Sequence, residues 1–304
     1  MSKNPILIGV DWGTTAFRAY LICNKGTVID HIDTDEGILS VTNGDFETVF
    51  NERLSGWLKD YPKIPILLSG MITSRNGWFE TDYLNVPASI EDIAEKVTLL
   101  EEKNGRKLHF ITGLMVNEHN EAPDIMRGEE TELIGQLCSS QNDGLYLLPG
   151  THSKWAQVNG QSITSFKTFM TGELFSMLKK HSILAKLIDQ EKPSDDAFAK
   201  GVKWRLKKPI TLLHNLFSVR TFPLFEQIDA EHIAEYLSGL LIADEILGAF
   251  DQLDKQSTVT VIGRDELATR YFKALQVIGI KATVVDQSMV AIGHYEIAKM
   301  RGLI

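Results

Sequence analysis

A carboxylate, a glycine and two threonines lie close together near the start of the chain, in a pattern that could bind phosphate and a metal ion. They are Asp11, Gly13, Thr14 and Thr15, and they follow the apolar run from Ile6 to Val10. Glycine lets the backbone approach a bound group, the hydroxyls and amides of a tight turn can surround phosphate oxygens, and a carboxylate can hold Mg²⁺ through water. The pattern suits a nucleotide's phosphates, although an ordinary hairpin turn also commonly contains these residue types.

A second glycine-threonine turn occurs later in the chain, after the apolar run from Leu145 to Leu148. In both places an apolar strand, the turn, a return strand and a third strand precede helical sequence. Unless hairpins recur by chance, this repeat predicts two similar lobes that face one another, with both turns binding one nucleotide. The second turn contains Gly150, Thr151, His152, Ser153 and Lys154.

A polar loop follows a predicted buried strand at residues 64–69, at the strand end where open α/β sheets bind ligands. Within this loop, Ser74, Arg75 and Asn76 are the candidates for binding a substrate. A forked guanidinium such as that of Arg75 is suited to a carboxylate.

An acidic segment precedes the second turn. Asp124 and Arg127 lead into a predicted helix whose first turn contains Glu129 and Glu130. Acids in this position suit the helix dipole, so each of them could have no role beyond stabilising the helix terminus. A carboxylate here could also act as a general base.

Length and composition limit the class of protein. The chain has 304 residues, 43% hydrophobic and 23% charged, as in globular proteins of one or two domains. Its formal charge of −9 gives no general attraction for nucleic acid or an anionic membrane. Cys23 and Cys138 lack the spacing of a metal or redox site. Since no long apolar segment is present, we expect a cytoplasmic protein that binds neither nucleic acid nor membrane.

Helices and strands alternate along the chain, which predicts an α/β fold. Three antiparallel strands come first, Asp45 is the expected cap of a helix that ends before Pro62, and Ser89 with Asp92 predicts a capped helix to about Lys103. Further strands are predicted at 107–112, 258–262 and 282–285, and helices at 171–187, 195–225 with breaks at Pro209 and Pro223, 229–250, 265–277 and 287–300.

Taken together, these residues resemble the sugar-kinase, heat-shock-protein-70 and actin superfamily of ATPases, and within it the 2-dehydro-3-deoxygalactonokinase family. The resemblance covers nearly the whole chain. GVDWGTT indicates only the superfamily, whereas SRNGW, MRGEET and PGTHSKW in that order are much more specific. The matching segments are Gly9–Thr15, Ser69–Trp78, Pro123–Thr131, Leu148–Trp155, Phe169–Phe175, Tyr236–Leu241 and Val261–Leu267.

The resemblance implies an actin-like ATPase fold, with two ribonuclease-H-like lobes, each containing a five-stranded sheet, around a central ATP cleft. The lobes would be residues 1–112, with helix 287–304 packing back on them, and residues 113–286. By the same resemblance, the two turns and Lys154 would hold the phosphates of ATP, and Asp11 would position Mg²⁺ through water. Gly263, followed by Arg264 and Leu267, would lie where the adenosine packs.

The implied reaction is phosphorylation of the terminal 6-hydroxyl of 2-dehydro-3-deoxy-D-galactonate, a sugar acid. We expect Arg75 to bind its carboxylate, with Arg127 as second choice, unless Arg75 only ties its loop to a backbone carbonyl. Related kinases place an Asp base at the start of a helix, and this chain has Glu there. Our order of preference for the base is therefore Glu130, Glu129 and Asp124.

Two rival functions share the superfamily: a kinase for another sugar or small molecule, and an ATPase without a small acceptor. A nicotinamide dehydrogenase and a P-loop enzyme are disfavoured, because no GxGxxG follows a predicted strand and no GxxxxGK[ST] occurs. The sequence leaves the oligomeric state open, including a homodimer.

Overall fold

The computed structural model describes residues 4–119, 122–140, 142–184, 188, 191–207, 211–250, 258–263, 265–285 and 289–304. The chain forms two compact units. Unit 1 contains Met1–Asp143, Gln157–Phe166 and Gln287–Ile304, and unit 2 contains Gly144–Ala156 and Lys167–Asp286.

Helices and strands alternate along both units, as the sequence predicts. The strands are β1 (Leu7–Trp12), β2 (Phe17–Cys23), β3 (Thr27–Thr34), β4 (Ile66–Ser69), β5 (Tyr83–Asn85), β6 (Thr98–Glu101), β7 (Lys107–Phe110), β8 (Gly113–Val116), β9 (Asp124–Met126), β10 (Gly144–Leu148), β11 (Ser153–Asn159), β12 (Ser162–Phe169), β13 (Val259–Ile262) and β14 (Ala282–Val285). The helices are α1 (Phe46–Asp60), α2 (Ile90–Glu95), α3 (Glu129–Ser140), α4 (Thr171–His181), α5 (Asp195–Lys207), α6 (Leu212–Leu216), α7 (Ser218–Leu224), α8 (Ile233–Ala249), α9 (Asp265–Ile278) and α10 (Met289–Met300).

The first sheet has the strand order β3-β2-β1-β4-β7-β6. β1, β2 and β3 form the predicted antiparallel meander, while β4 lies parallel to β1 on its other side. β1 is therefore a central strand, and its apolar residues Ile8, Val10 and Trp12 are fully buried. The parallel register places Asp11 beside Ser69, so the carboxyl ends of β1 and β4 bring the first turn and the polar loop together.

The predicted helix from Ser89 to about Lys103 is wrong in its second half. The capping box does form, because the Ser89 hydroxyl accepts from the amide of Asp92 at 3.3 Å and the Asp92 carboxylate accepts from the amide of Ser89 at 2.9 Å. However, α2 ends at Glu95, and the next residues pair antiparallel with β7 as β6. Alternating burial along β6 suits an edge strand. The first sheet thus has six strands instead of the expected five.

The second large sheet has the order β12-β11-β10-β13-β14, which repeats the order β3-β2-β1-β4-β7 of the first sheet. β13 lies parallel to both β10 and β14. The predicted duplication is therefore present in the strand order. A third sheet, β5-β8-β9, is not among the elements predicted from the sequence.

Helix α8 is the main core helix of unit 2. Its residues Leu237 and Leu240 belong to one apolar cluster, and its residues Ala243 and Ile246 belong to a second one. All four side chains are fully buried. The helix predicted at 171–187 ends at His181, and residues 185–187 and Pro209 lie outside the described part of the chain. Within that described part, no helix is both long and apolar enough to cross a bilayer.

The last helix, α10, packs within unit 1. It crosses α3 with almost no space between the backbones: a Cβ at Gly293 would lie 2.0 Å from the carbonyl oxygen of Thr131, and one at Gly135 would lie 1.9 Å from that of Met289. This packing explains why unit 1 extends to Asp143 and includes α3. The lobe boundary at residue 112 stays a prediction.

Candidate active site

Asp11 lies near the end of β1, directly opposite Arg18 on β2. The Nη1 atom of Arg18 is 3.2 Å from Oδ2 of Asp11, and the Asp11 side chain is only 15% exposed. Burial raises the pKa of Asp11 from 3.8 to about 6, although Arg18 acts in the opposite direction. Since Arg18 compensates only part of the cost of burying this charge, Asp11 is well placed to interact with a further cation.

The turn after β1 exposes both of its threonines, Thr14 and Thr15. The amide of Gly13 donates to the carbonyl of Ala16 at 2.9 Å, which closes the turn. Gly37 packs directly beneath it, and a Cβ at Gly37 would lie 2.2 Å from the carbonyl oxygen of Thr14 and the amide nitrogen of Thr15. A side chain at position 37 would therefore displace the turn.

Two glycines allow the polar loop and the start of α3 to meet at Asp11. Gly70 has a φ of +87°, and a Cβ there would lie 2.9 Å from Oδ1 of Asp11. Gly128, with a φ of +111°, packs on Gly70, since its Cβ would lie 3.1 Å from the Cα of Gly70. These contacts bring the ends of β1 and β4 and the first turn of α3 to one place in unit 1.

The first turn of α3 places further carboxyl groups near Asp11, and the charge of Glu129 contributes to the raised pKa of Asp11. Glu130 is fully buried, and burial raises its pKa to about 8, with the charge of Glu129 adding to the effect. Burial also raises the pKa of Glu132 to about 8, with the charge of Asp11 as the next cause. The structure therefore places Asp11 in an acidic environment that includes Glu132, which the sequence analysis did not select.

The three candidate bases differ in accessibility. The Glu130 carboxylate, first in the predicted order, is enclosed and accepts from the amide of Gly128 at 2.7 Å. Glu129 is half-buried, and its Oε2 accepts from the amide of Arg127 at 3.0 Å. Asp124 is also half-buried, in β9, where its Oδ1 accepts from the amide of Ile125 at 2.7 Å. A base must reach a substrate hydroxyl, so the geometry favours Glu129 over Glu130.

The candidate substrate-binding residues of the polar loop separate into buried and exposed ones. Ser74 is buried, and its hydroxyl donates to the carbonyl of Met71 at 2.7 Å. Arg75 is 86% exposed, with its Nε 3.7 Å from Oε1 of Glu80. Asn76 is also exposed. An exposed ion pair of this length contributes little stability, so the guanidinium of Arg75 can turn toward a ligand.

Arg127, the second choice for the substrate carboxylate, lies in a different environment from Arg75. The side chain is buried and donates hydrogen bonds to Thr73 and Thr81. It also lies over the ring of Tyr83. Its donors are directed at protein oxygens.

The second glycine-threonine turn lies in unit 2 and exposes Thr151 and His152. His152 Nε2 is 2.5 Å from the carboxylate of Glu173, and the amide of Glu173 donates to the carbonyl of Thr151 at 3.0 Å. Gly172 supports this turn as Gly37 supports the first, because its Cβ would lie 2.4 Å from the carbonyl oxygen of Gly150. Both turns thus rest on a glycine that the sequence analysis missed.

Ser153 and Lys154 are buried in β11 and do not lie on the exposed part of the turn. The Ser153 hydroxyl is 2.9 Å from that of Tyr271, which donates to Glu245 at 2.6 Å. Glu245 also accepts from the indole of Trp155 at 2.8 Å. The Ser153 side chain therefore belongs to a buried network beneath the turn.

A cavity of about 260 Å³ lies beside this turn, within unit 2. Gly263 is not part of its lining; it is buried at the end of β13, where a Cβ would lie 3.3 Å from Cδ of Pro149. Arg264 lies outside the described residues. Typical ligand pockets measure about 300–1,000 Å³, so this cavity suits a group of nucleobase size. Its lining includes Gly150, Phe175, Ser238, Leu267, Arg270 and Tyr271.

The structure thus assembles part of the predicted set in each unit. Unit 1 brings Asp11, the first turn, the polar loop and Glu129 together, and unit 2 brings the second turn next to the cavity. Arg18 could have been predicted from the sequence, because counting residues outward on both sides of the hairpin turn pairs it with Asp11. Among the described residues, no group of three or more His, Cys, Asp or Glu side chains has the geometry of a direct metal site.

Comparison with known proteins places these features in a family. The model of the 2-keto-3-deoxy-galactonokinase family matches residues 11–297. The chain is 34% identical over 278 residues to the 2-dehydro-3-deoxygalactonokinase of Escherichia coli (strain K12), covering 91% of this chain and 92% of the relative.

Solved structures agree with this match. A Sinorhizobium meliloti protein assigned to the 2-dehydro-3-deoxygalactonokinases superposes with a TM-score of 0.88 at 32% identity, covering 96% of this chain and 98% of that one. An activator of 2-hydroxyisocaproyl-CoA dehydratase from Clostridium difficile, solved with bound ADPNP, shares only the fold, with a TM-score of 0.54 at 11% identity over 98% of this chain and 96% of that one. The predicted actin-like ATPase fold is confirmed, and the chain belongs to the 2-keto-3-deoxy-galactonokinase family.

Proposed function

We propose that this protein is a carbohydrate kinase that transfers a phosphoryl group from ATP to the 6-hydroxyl of 2-dehydro-3-deoxy-D-galactonate, in galactonate catabolism. The main support is the family match, which spans residues 11–297. The buried carboxylate of Asp11 beside an exposed glycine-threonine turn is the feature of unit 1 that suits this chemistry. Because such a reaction needs ATP, we place the protein in the cytoplasm.

The two glycine-threonine turns are the proposed binding sites for the phosphates of ATP. Thr14 and Thr15 in unit 1 and Thr151 in unit 2 are exposed and can present hydroxyls and amides to phosphate oxygens. The cavity beside the second turn is the proposed site for the base of the nucleotide. Ser153 and Lys154 would support their turn from the buried side.

Asp11 is the residue proposed to hold Mg²⁺ through water. The fit is good, because a buried carboxylate with a raised pKa gains from a nearby cation, and Mg²⁺ prefers oxygen ligands and usually keeps several waters. The bound ion would neutralise charge on the phosphates. Arg18 holds Oδ2 of Asp11 and so fixes the orientation of the carboxylate.

Glu129 is the proposed general base. The 6-hydroxyl oxygen forms a bond to the γ-phosphorus, the bond between that phosphorus and the bridging oxygen of ADP breaks, and the hydroxyl proton passes to the Glu129 carboxylate. Glu129 is a partly accessible acid of the first turn of α3, and its Oε2 is oriented by the amide of Arg127. Glu130 would act as a buried structural neighbour.

Arg75 is the proposed contact for the carboxylate of the sugar acid. Its side chain is 86% exposed, and its ion pair with Glu80 can be exchanged for one with substrate. A planar guanidinium binds a carboxylate through two hydrogen bonds, which a neutral sugar could not use. Asn76 beside it is exposed and can bind hydroxyl groups.

The test is an ADP-release assay with ATP, Mg²⁺ and a panel of acceptors. The panel contains the galactonate-derived 2-keto-3-deoxy acid, its gluconate-derived epimer, neutral sugars, glycerol, pantothenate and a sample without acceptor. Turnover that requires a sugar acid, with phosphate found on its 6-oxygen, is the expected result. ADP release without any acceptor would identify an ATPase instead, and turnover confined to a neutral acceptor would identify a different kinase.

A further inference from the structure

The buried guanidinium of Arg127 joins two ends of the polar loop. Its Nη1 lies 2.6 Å from both the carbonyl oxygen and the hydroxyl of Thr73, and 2.5 Å from the hydroxyl of Thr81. Its Nη2 lies 3.0 Å from the carbonyl oxygen of Thr81. These acceptors flank Ser74, Arg75 and Asn76, so Arg127 closes the base of the segment that holds the proposed substrate contacts.

The face of the guanidinium is also covered. Its central carbon lies 4.2 Å from the ring centroid of Tyr83, and its Nε is 3.4 Å from the hydroxyl of Tyr83. Only 8% of Arg127 is exposed. A flat, forked cation is the one side chain that can serve all these acceptors and stack on a ring at once, and lysine lacks both the plane and the fork.

The backbone of the same residue reaches the proposed base. The amide of Arg127 donates to Oε2 of Glu129 at 3.0 Å. Its side chain therefore fixes the loop while its main chain orients the carboxylate two residues later. Gly128, between them, packs on Gly70 beside Asp11, which leaves this connection little freedom.

We propose that Arg127 is a positioning residue that holds residues 73–81 and the Glu129 carboxylate at a fixed separation for phosphoryl transfer. The inference rests on the proposed function, because it assigns the loop to substrate and Glu129 to the proton. Alignment of acceptor and base affects the transition state more than the bound substrate, and a misplacement of about 1 Å can cost about 100-fold in rate. Arg127 itself touches no reacting atom.

The experiment compares Arg127→Lys with Arg106→Lys and Thr81→Val. Arg106 is a matched control in unit 1, because it donates to Asn51 at 2.6 Å and pairs with Glu102 at 3.2 Å. Among the described residues, neither of these partners belongs to the loop or to α3. Thr81→Val keeps the shape of the side chain but removes one acceptor of Arg127. For each variant, kcat and KM for both substrates are measured, together with hydrogen exchange of the loop amides.

We expect Arg127→Lys to lower kcat about 10- to 100-fold while KM for sugar acid and ATP changes less than about threefold. Thr81→Val lowers kcat less, and adding it to Arg127→Lys causes little further loss, because both changes break one connection. Amides of residues 73–81 exchange faster in both variants. Arg106→Lys behaves as wild type.

A large rise in KM for the sugar acid with kcat unchanged would overturn the proposal and make Arg127 a substrate contact. Kinetics and loop exchange equal to those of Arg106→Lys would also overturn it. If the wild-type protein does not phosphorylate the acid, the proposed function fails on its own. Hydrogen exchange then still decides whether Arg127 holds the loop to α3.

Discussion

The Glu130 carboxylate accepts a 2.7 Å hydrogen bond from the backbone amide of Gly128, two residues earlier in the chain. This bond satisfies an amide at the start of α3 that has no partner within the helix. It also turns the carboxylate away from solvent, and the residue is fully buried. The neighbouring Glu129 keeps partial exposure, so two adjacent acids of one type have different structural roles.

The first prediction separates these two glutamates. Glu129→Gln should lower kcat by about 100- to 10,000-fold, the usual effect of losing a general base. Glu130→Gln, a nearly isosteric change in a buried site, should lower kcat by less than about tenfold and change mainly the thermal midpoint. Steady-state kinetics on both variants provide the measurement. The assignment of the base fails if Glu130→Gln is the more damaging change.

The second prediction concerns the support of the first turn. Gly37→Ala places a methyl group 2.2 Å from the backbone of Thr14 and Thr15, so the turn must move. We expect KM for ATP to rise at least about tenfold, since a shift of the turn weakens phosphate binding. Gly56→Ala is the control: outside the backbone of α1 itself, no atom of the described residues lies within 4 Å of a new Cβ at this position. It should leave the kinetics unchanged and stabilise the helix by about 1 kcal/mol.

The third prediction tests Arg75. Arg75→Ala should raise KM for the sugar acid at least about tenfold with little change in kcat, because an exposed arginine that binds the carboxylate contributes equally before and during the reaction. KM for ATP is the internal reference and should stay constant. Unchanged KM for the acid would remove Arg75 from the binding site. Its high exposure makes an effect on folding small.

The fourth prediction uses the raised pKa of Asp11, about 6 against 3.8 in the unfolded chain. The folded protein binds the Asp11 proton more tightly than the unfolded chain does. The neutral carboxyl therefore stabilises the folded state fully below pH 3.8, and this contribution is lost as pH rises through about 6. Asp11→Asn cannot titrate. The free energy of unfolding of this variant, relative to that of wild type, should therefore increase between pH 4 and pH 7 by up to about 3 kcal/mol.

Urea unfolding at several pH values, without ATP or Mg²⁺, measures this difference. Because the Asp11 charge raises the pKa of Glu132, loss of that charge in the variant adds a change in the same direction. The same Asp11→Asn variant should lose at least about 100-fold in kcat, because it no longer holds the metal ion. A stability difference that is independent of pH would show that burial does not disfavour the Asp11 charge.

Local signals were read correctly from the sequence, and contacts between distant residues were not. The cap at Asp45, which accepts from the amide of Thr48, and the Ser89–Asp92 box depend on residues three apart. The end of α2 was misjudged because residues after Lys96 join the sheet through β7. Pairing with another strand overrides local helix propensity.

Prediction of the site was likewise limited to features formed by residues that are adjacent in the chain. Asp11 and the two turns could be selected from the sequence because a strand, an acid and a Gly-Thr turn are adjacent in the chain. The buried hydrogen bonds of Arg127 could not be predicted, because their acceptors on Thr73 and Thr81 lie 54 and 46 residues away in the chain. The choice between Glu129 and Glu130 depends on which side of α3 faces the core, and that is set by its crossing with α10.

The crossing of α3 and α10 also bears on how the protein is made. The residues of α10 are synthesised after unit 2, yet a Cβ on Gly9 in the first strand would lie 2.6 Å from His294 of that helix. The N-terminal sheet therefore cannot reach its final packing during translation of unit 2. Folding of unit 1 can be completed only once α10 has been synthesised, and a nascent chain truncated before Met289 would leave α3 and β1 with an uncovered apolar surface.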